Sequence, residues 1–305
     1  MKNGFFTRLG RDFSKHRWLY IMFIPVFLYF VIFAYIPMGG IIMAFQDFNI
    51  RKGFFGSEFV GWENFKTFFE DPFCWRIVRN TFLMNVYDVL WAFPTPIILA
   101  LLLNEVYHKH FKSWIQTLTY LPHFISLVVM CGMVKEFVST DGLINDLIAF
   151  FGGNREALLT FPEYFRTIFI SSNIWQNVGF SSIMYIAAIA GIDPTLYEAA
   201  AIDGASRFHR LIHITIPSIM GTVIIMFILR LGSMMSVGYE KIILLYGPQT
   251  YETADVISSY VYRMGIKGND YSYATAIGLF NAVINTALLV SANKISRKFG
   301  RRGLW

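Results

Sequence analysis

The chain has 305 residues, 55% hydrophobic, 18% aromatic and only 15% charged, where soluble domains carry about 25% charged residues. With a mean hydropathy of +0.48, that composition excludes one water-soluble core and points to a chain crossing a membrane several times. The net charge of +6 would suit nucleic acid, but the basic residues cluster at the ends of apolar segments, which suits a membrane surface, and two cysteines, Cys74 and Cys131, form neither a disulfide framework nor a metal-site spacing.

Six apolar stretches of the roughly 20 residues a bilayer needs follow one another at about 18–44, 77–103, 114–137, 165–190, 215–238 and 273–293. The expected fold is all-α with six transmembrane helices. A basic N-terminus (1–17) precedes the six-span body (18–293), and a basic tail (294–305) follows it. The first stretch exceeds the roughly 7–15 apolar residues of a cleaved signal and ends in no small-residue cleavage site. Its Pro25 and Pro37 are of a kind that spans tolerate. The second span carries Asn85 and Asp88, three apart, with Tyr87 and Trp91 beside them; the third carries His123 and Ser126, also three apart. The fourth carries Asn173, Gln176 and Asn177 on one face, near Trp175 and Tyr185; the fifth carries Arg230; the sixth carries Asn281 and Asn285. Each lies some turns from a span end, near the middle of a roughly 30 Å hydrocarbon core. Polar side chains at that depth face a cavity or a partner, so a central polar pathway is expected, with these aromatics beside it. Asn, Gln and Ser also bind membrane helices to one another. Arg230 has two accounts, a buried pair with Asp88 or a planar fork for a substrate carboxylate.

Lys and Arg set the orientation. Lys2, Arg8, Arg11, Lys15 and Arg17, then Lys109 and Lys112, then Arg207 and Arg210, then Lys294, Arg297, Lys298, Arg301 and Arg302 alternate with three acid-rich segments. Both termini are therefore expected in the cytoplasm, as is the loop at about 191–217. His108 and His110 read as charge beside lipid rather than metal ligands. In the loop, Asp193-Pro194 fits an N-cap with Pro at N1, and Thr195 to Glu198 fits a capping box. Asp203 and Arg207 stand four apart, acid first. Gly204 costs a helix about 1 kcal/mol against Ala, which a bend or a close approach would justify.

The loop reads EAAAIDGASRFHRLIHITIP from Glu198 to Pro217. It resembles the EAA loop of ABC importer permeases: Glu198, Ala199, Ala200, Asp203, Gly204 and Pro217 match, Ile216 stands where Leu is usual, and Gly221 where many members have a second Pro. FVGWENFKTFFEDPFCWRIVRNT (Phe59–Thr81) resembles the first external loop of carbohydrate-importer permeases, and SMMSVGYEKIILLYGP (Ser233–Pro248) with DVISSYVYRMGI (Asp255–Ile266) resembles the oligo- and polysaccharide branch of the maltose-importer-like permeases. The resemblance implies a bacterial cell-membrane subunit that works with a second, different permease chain, two ATPase subunits and an external solute-binding protein. It also implies a short coupling helix seated on an ATPase, with Glu198, Ala199, Ala200, Asp203, Gly204 and Arg207 at the contact. ATP and Mg would be held by the ATPase subunits: this chain has no GxxxxGK[ST], and no Gly-Lys pair at all. Nor does it contain HExxH, CxxC or GxSxG, so no enzyme is expected. A secondary transporter of a small polar solute is the alternative, but the halves show no inverted repeat.

Overall fold

The computed structural model describes residues 15–298; Lys2, Arg8, Arg11, Arg301 and Arg302 of the basic ends lie outside them. In chain order, α1 (Arg17–Phe45) leads to a two-strand ribbon, β1 (Gln46–Asp47) antiparallel to β2 (Glu58–Phe59), with Gln46 opposite Phe59. Then come α2 (Glu63–Glu70), α3 (Cys74–Glu105), α4 (Lys109–Phe124), α5 (Leu127–Phe137), α6 (Leu143–Phe150) and α7 (Pro162–Ala190). The chain continues through α8 (Pro194–Ile202), α9 (Arg207–Gly232), α10 (Tyr239–Leu245), α11 (Ile257–Val261) and α12 (Tyr271–Lys298). Four helices are long and apolar enough to cross a membrane, or up to six if each bent pair is one span.

Two of the expected spans differ in detail. The third is broken: α4 and α5 meet at 105° around Ile125 and Ser126. Ser126 caps α5, accepting from Val129 N, so it does not share a helix face with His123. The fifth ends at Gly232, not near 238. No charge or proline falls in 233–238, so composition gives no stop signal there. Its backbone is satisfied from the side. Asn285 on α12 accepts from Met235 N (2.8 Å) and donates to Ser236 Oγ (2.9 Å), and Ser258 Oγ donates to Val237 O (2.5 Å). Irregular backbone at membrane depth is tolerated only when protein supplies such partners.

Three long helices widen by one residue just before a proline. The wide turns are Val31–Tyr35, Asp88–Ala92 and Leu211–Thr215; Pro37, Pro94 and Pro217 each follow two residues later. Proline has no N–H and clashes with the carbonyl four residues back. Ahead of each proline, Ile36, Phe93 and Ile216 donate to the fifth residue back, and the wide turn makes room for the ring.

The core consists of patches where helices cross. One joins Met84, Met130, Phe165, Phe169 and Ile242; a second joins Phe68, Ile77, Tyr260 and Ile277; a third joins Ala100, Tyr185 and Ile219. No residue between Arg17 and Phe30 is buried by the rest of the chain, as expected of an apolar helix facing lipid or another subunit. The closest approach is between α4 and α7. A Cβ on the buried Gly179 would lie 2.2 Å from the Thr119 carbonyl oxygen, a small-residue contact typical of membrane helices. Gly179→Ala is therefore expected to destabilise the detergent-solubilised protein by about 1–3 kcal/mol. Gly221→Ala, where the added carbon meets nothing within 4 Å, serves as the control; equal thermal unfolding of the two variants would disprove the close contact.

Candidate translocation path and coupling helix

Asp88 on α3 and Asn173 on α7 lie at equal rise, each about 25 Å from the end of its helix nearest α8. Arg230 reaches the same level from the last turn of α9. Its guanidinium Nη2 pairs with Asp88 Oδ2. The other Asp88 oxygen accepts from Asn173 Nδ2 (3.0 Å). Asn173 Oδ1 accepts in turn from Asn177 Nδ2 (2.9 Å), and Asn177 Oδ1 lies 3.0 Å from His123 Nδ1. Because both Asn177 groups are then assigned, His123 Nδ1 carries its proton and donates. Every donor in the chain points toward Asp88. The His123 ring lies flat on Phe180, centroids 3.9 Å apart. One carboxylate thus organises side chains from α3, α4, α7 and α9.

The ion pair also divides space. On the α8 side lies a cavity of about 570 Å³, lined by Asp88, Phe93, Pro96, Asn173, Asn177, Tyr185 and Arg230 among others. On the far side lies one of about 200 Å³, lined by Met84, Asn85, Asp88, Phe169, Ile170, Asn173, Arg230, Ser236, Val237, Gly238 and Lys241. Asp88, Asn173 and Arg230 are common to both. Asp88 is 8% exposed in its side chain and Arg230 38%, so the arginine is the member a solute can reach. Lys241 is buried. Its Nζ donates to Phe169 O (3.3 Å) and sits over the Phe169 ring.

Of the ten residues expected along a path, Asp88, His123, Asn173, Asn177 and Arg230 are joined in one chain. Asn85 lines the smaller cavity but donates to Thr81 O within its own helix. Trp175 packs edge-on against Phe137 away from both cavities, and Gln176 lines neither. Asn285 holds the broken end of α9. Asn281 borders a separate, apolar cavity of about 640 Å³ beside Tyr239 and Val261, its buried Oδ1 without a hydrogen bond. A helix of full length would have aimed α12 amides at the path; the early end of α9 uses one of them for backbone repair.

At the other end, α8 is exposed along its length. Asp193 caps it by accepting from Thr195 N (2.9 Å), with Pro194 at the first position. That displaces the expected Thr195–Glu198 capping box, because Thr195 already lies inside the helix. Gly204 stops α8 at φ +75°. Ala205 N donates to Ala200 O (2.9 Å) and Gly204 N to Ala201 O (3.1 Å), the paired bonds of a left-handed glycine stop. Gly204 is thus required by its backbone angle, and a Cβ there would meet nothing within 4 Å. Arg207 begins the next helix behind its own cap, Ser206. It is not a helical neighbour of Asp203; its guanidinium stacks over Tyr107, 4.8 Å from the ring centre. Tyr197 OH and Thr215 Oγ1, 2.9 Å apart, fix α8 to α9. Glu198, Ala199, Asp203 and Gly204 face outward, and Ala200 is half-buried.

The family model described as "Binding-protein-dependent transport system inner membrane component" matches residues 75–301. The chain belongs to this family. It is 43% identical over 293 residues (96% of this chain, 92% of the relative) to Protein LplB of Bacillus subtilis strain 168. It is 41% identical over 292 residues (95% and 91%) to the polygalacturonan/rhamnogalacturonan transport system permease protein YteP of the same organism. Among solved structures, it is similar to a chain of a bacterial ABC transporter involved in the import of the acidic polysaccharide alginate, with TM-score 0.88, 45% identity and coverage of 95% of this chain and 99% of that one. A second, of the bacterial alginate ABC transporter in complex with alginate pentasaccharide-bound periplasmic protein, gives TM-score 0.90 and 44% identity over 97% and 100%.

This inner membrane component has surface features that sequence reasoning missed. Ile202 is 87% exposed and Phe208 70% exposed, flanking the Gly204 stop; both stood in the loop but were passed over beside the charged residues. Lys241 stands inside the Ser233–Pro248 stretch but was not singled out there. The signal was the IILL run directly after it, which marks burial. The stop geometry is directly testable. Gly204→Ala forces a side chain into the left-handed region at about 1–2 kcal/mol, and Asp193→Ala removes a cap worth about 0.5–2 kcal/mol. Each is expected to raise amide hydrogen exchange across Thr195–Ile202 several-fold, and unchanged protection would contradict the assignment.

Proposed function

We propose that the chain is the membrane-spanning subunit of an ABC importer that carries an acidic oligosaccharide delivered by an external solute-binding protein. The reading is carried by Arg230: a charge at mid-depth, accessible from a cavity, with donors to spare beyond its bond to Asp88. It agrees with the polygalacturonan/rhamnogalacturonan and alginate systems to which two of the similar proteins belong. In this reading both termini and α8 face the cytoplasm, following the Lys and Arg distribution, and the smaller cavity faces outward.

A second, different permease chain completes the pathway, since this chain offers one coupling helix and two ATPase subunits need two. The apolar outer face of α1 suits that neighbour or lipid. ATP and Mg belong to the ATPase subunits, and this chain does no chemistry on the sugar. The short helix α8, with Glu198, Ala199, Ala200, Asp203 and Gly204 and with Ile202 and Phe208 exposed beside them, seats on one ATPase. Arg207 acts there by holding the segment against Tyr107. Gly204→Trp fills the open space beside the stop. It is expected to leave the complex assembled while lowering sugar-stimulated ATP hydrolysis and uptake; normal uptake by that variant would refute the docking.

The substrate class is tested with the complete importer in liposomes, comparing a trigalacturonate with its carboxyl-reduced, neutral trimer. Losing a charge-assisted bond of about 1.5–3 kcal/mol predicts that Arg230→Gln weakens uptake of the acidic trimer roughly 10–100-fold more than that of the neutral one. Equal losses relative to the native chain would eliminate the acidic substrate. The solute-binding protein is the same throughout, so its own preference cancels.

A further inference from the structure

The smaller cavity carries an unbalanced charge. Its ionisable lining groups are Asp88, Arg230 and Lys241, one anion against two cations. Lys241 is 7% exposed and meets a backbone carbonyl and a ring face, with no carboxylate in contact. A buried, unmatched cation is costly, and one added carboxylate brings the cavity to neutrality. At about 200 Å³, the space is below the roughly 300–1,000 Å³ of sites that enclose a whole ligand. It fits one carboxylate and the sugar carbon bearing it, not a chain.

We propose that this cavity is a single-carboxylate site in which Asp88 is a tethered competitor. At rest Asp88 occupies Arg230 and closes the wall between the two cavities. An incoming uronate carboxylate takes Arg230, and Asp88, still held through its other oxygen by Asn173, turns to Lys241. At rest the pair is Arg230–Asp88 with Lys241 unmatched; after exchange the pairs are Arg230–uronate and Lys241–Asp88, and every charge in the cavity is matched. The wall therefore opens more readily for an acidic sugar than for a neutral one. Only Nη2 of Arg230 is bonded among the described residues, which leaves Nε and Nη1 free to receive a carboxylate before Asp88 departs.

This inference deepens the acidic-substrate reading and rests on it. The test uses the same reconstituted importer and the same two trimers. Lys241→Met is expected to raise KM for the acidic trimer about tenfold more than for the neutral trimer. Asp88→Asn removes the competitor and is expected to lower the acidic KM several-fold, with faster uptake of the neutral trimer as the wall loosens. If Arg230→Gln is selective but Lys241→Met affects both trimers equally, the function stands and the exchange is overturned. If Asp88→Asn impairs both trimers and the double variant Asp88→Asn/Arg230→Gln restores both, the pair is only a structural clamp. Should Asp88→Asn fail to assemble, the Lys241→Met ratio decides alone. An unselective Arg230→Gln removes the acidic reading itself, a result distinct from all of these.

Discussion

An arginine placed at mid-depth in hydrocarbon must be answered by an anion, and much of this bundle is arranged around that requirement. Insertion alone costs about 2.5–3.5 kcal/mol at a helix centre. Asp88 supplies the anion from α3, and the C-terminal turn of α9 adds the favourable end of its dipole, since Arg230 lies two residues before Gly232. Loss of Arg230 leaves Asp88, 8% exposed, as a buried charge alone, which costs more than the pair contributes. The pair therefore fixes the relative rise of α3 and α9. Asn173 extends the same constraint to α7, and Asn177 with His123 extends it to the end of α4. The polar chain is a register device as well as a lining.

Backbone chemistry decides where that carboxylate stands. Asp88 opens the wide turn that makes room for Pro94, and its carbonyl accepts from Phe93 N (3.0 Å). The extra residue shifts the helix face. Asp88, Ala92 and Pro96, four residues apart, lie on one helix face, and with Phe93 they line one cavity. Wide turns of this kind concentrate at functional positions. Asp88 thus begins the wide turn that accommodates Pro94 and also carries the carboxylate at the site.

How much of this was legible in the sequence depended on the range of the cause. Asp193, Pro194 and Gly204 act on bonds within a few residues, so a helix start and a glycine with a purpose were readable, though a short-range rival, the Thr195–Glu198 box, was readable too. The pairing of Asp88 with Arg230 was foreseeable as one of two accounts, because few ions occur in the spans. The early end of α9 was not legible. Residues 233–238 carry no charge and no proline to mark a stop, and the partner that satisfies the freed backbone is Asn285, some fifty positions later, bonded to Met235 and Ser236. Once α9 ends there, Asn285 is committed to the backbone, Asn281 faces another cavity, and Lys241 is drawn inward beside Phe169. Hydropathy reports depth along a straight helix and is blind to a chain that turns back at mid-depth.

The same geometry connects the two ends of the molecule. α9 is one helix from Arg207, stacked on Tyr107 next to α8, to Arg230 at the ion pair, a rise of about 35 Å. Tyr197 ties α8 to Thr215 on this helix, and Thr215 closes the wide turn before Pro217. In the proposed importer, a displacement of α8 by an ATPase is carried by that contact into α9 and reaches Arg230 without crossing a loop. Asp88 sits on a different helix, so movement of α9 along its axis changes the Arg230–Asp88 separation directly. A charge pair between two helices responds steeply to such sliding, because its attraction strengthens in low dielectric and falls with distance. The pair can therefore be sensitive both to a carboxylate arriving from one side and to a push on α8 from the other, through one continuous element whose position both events bias.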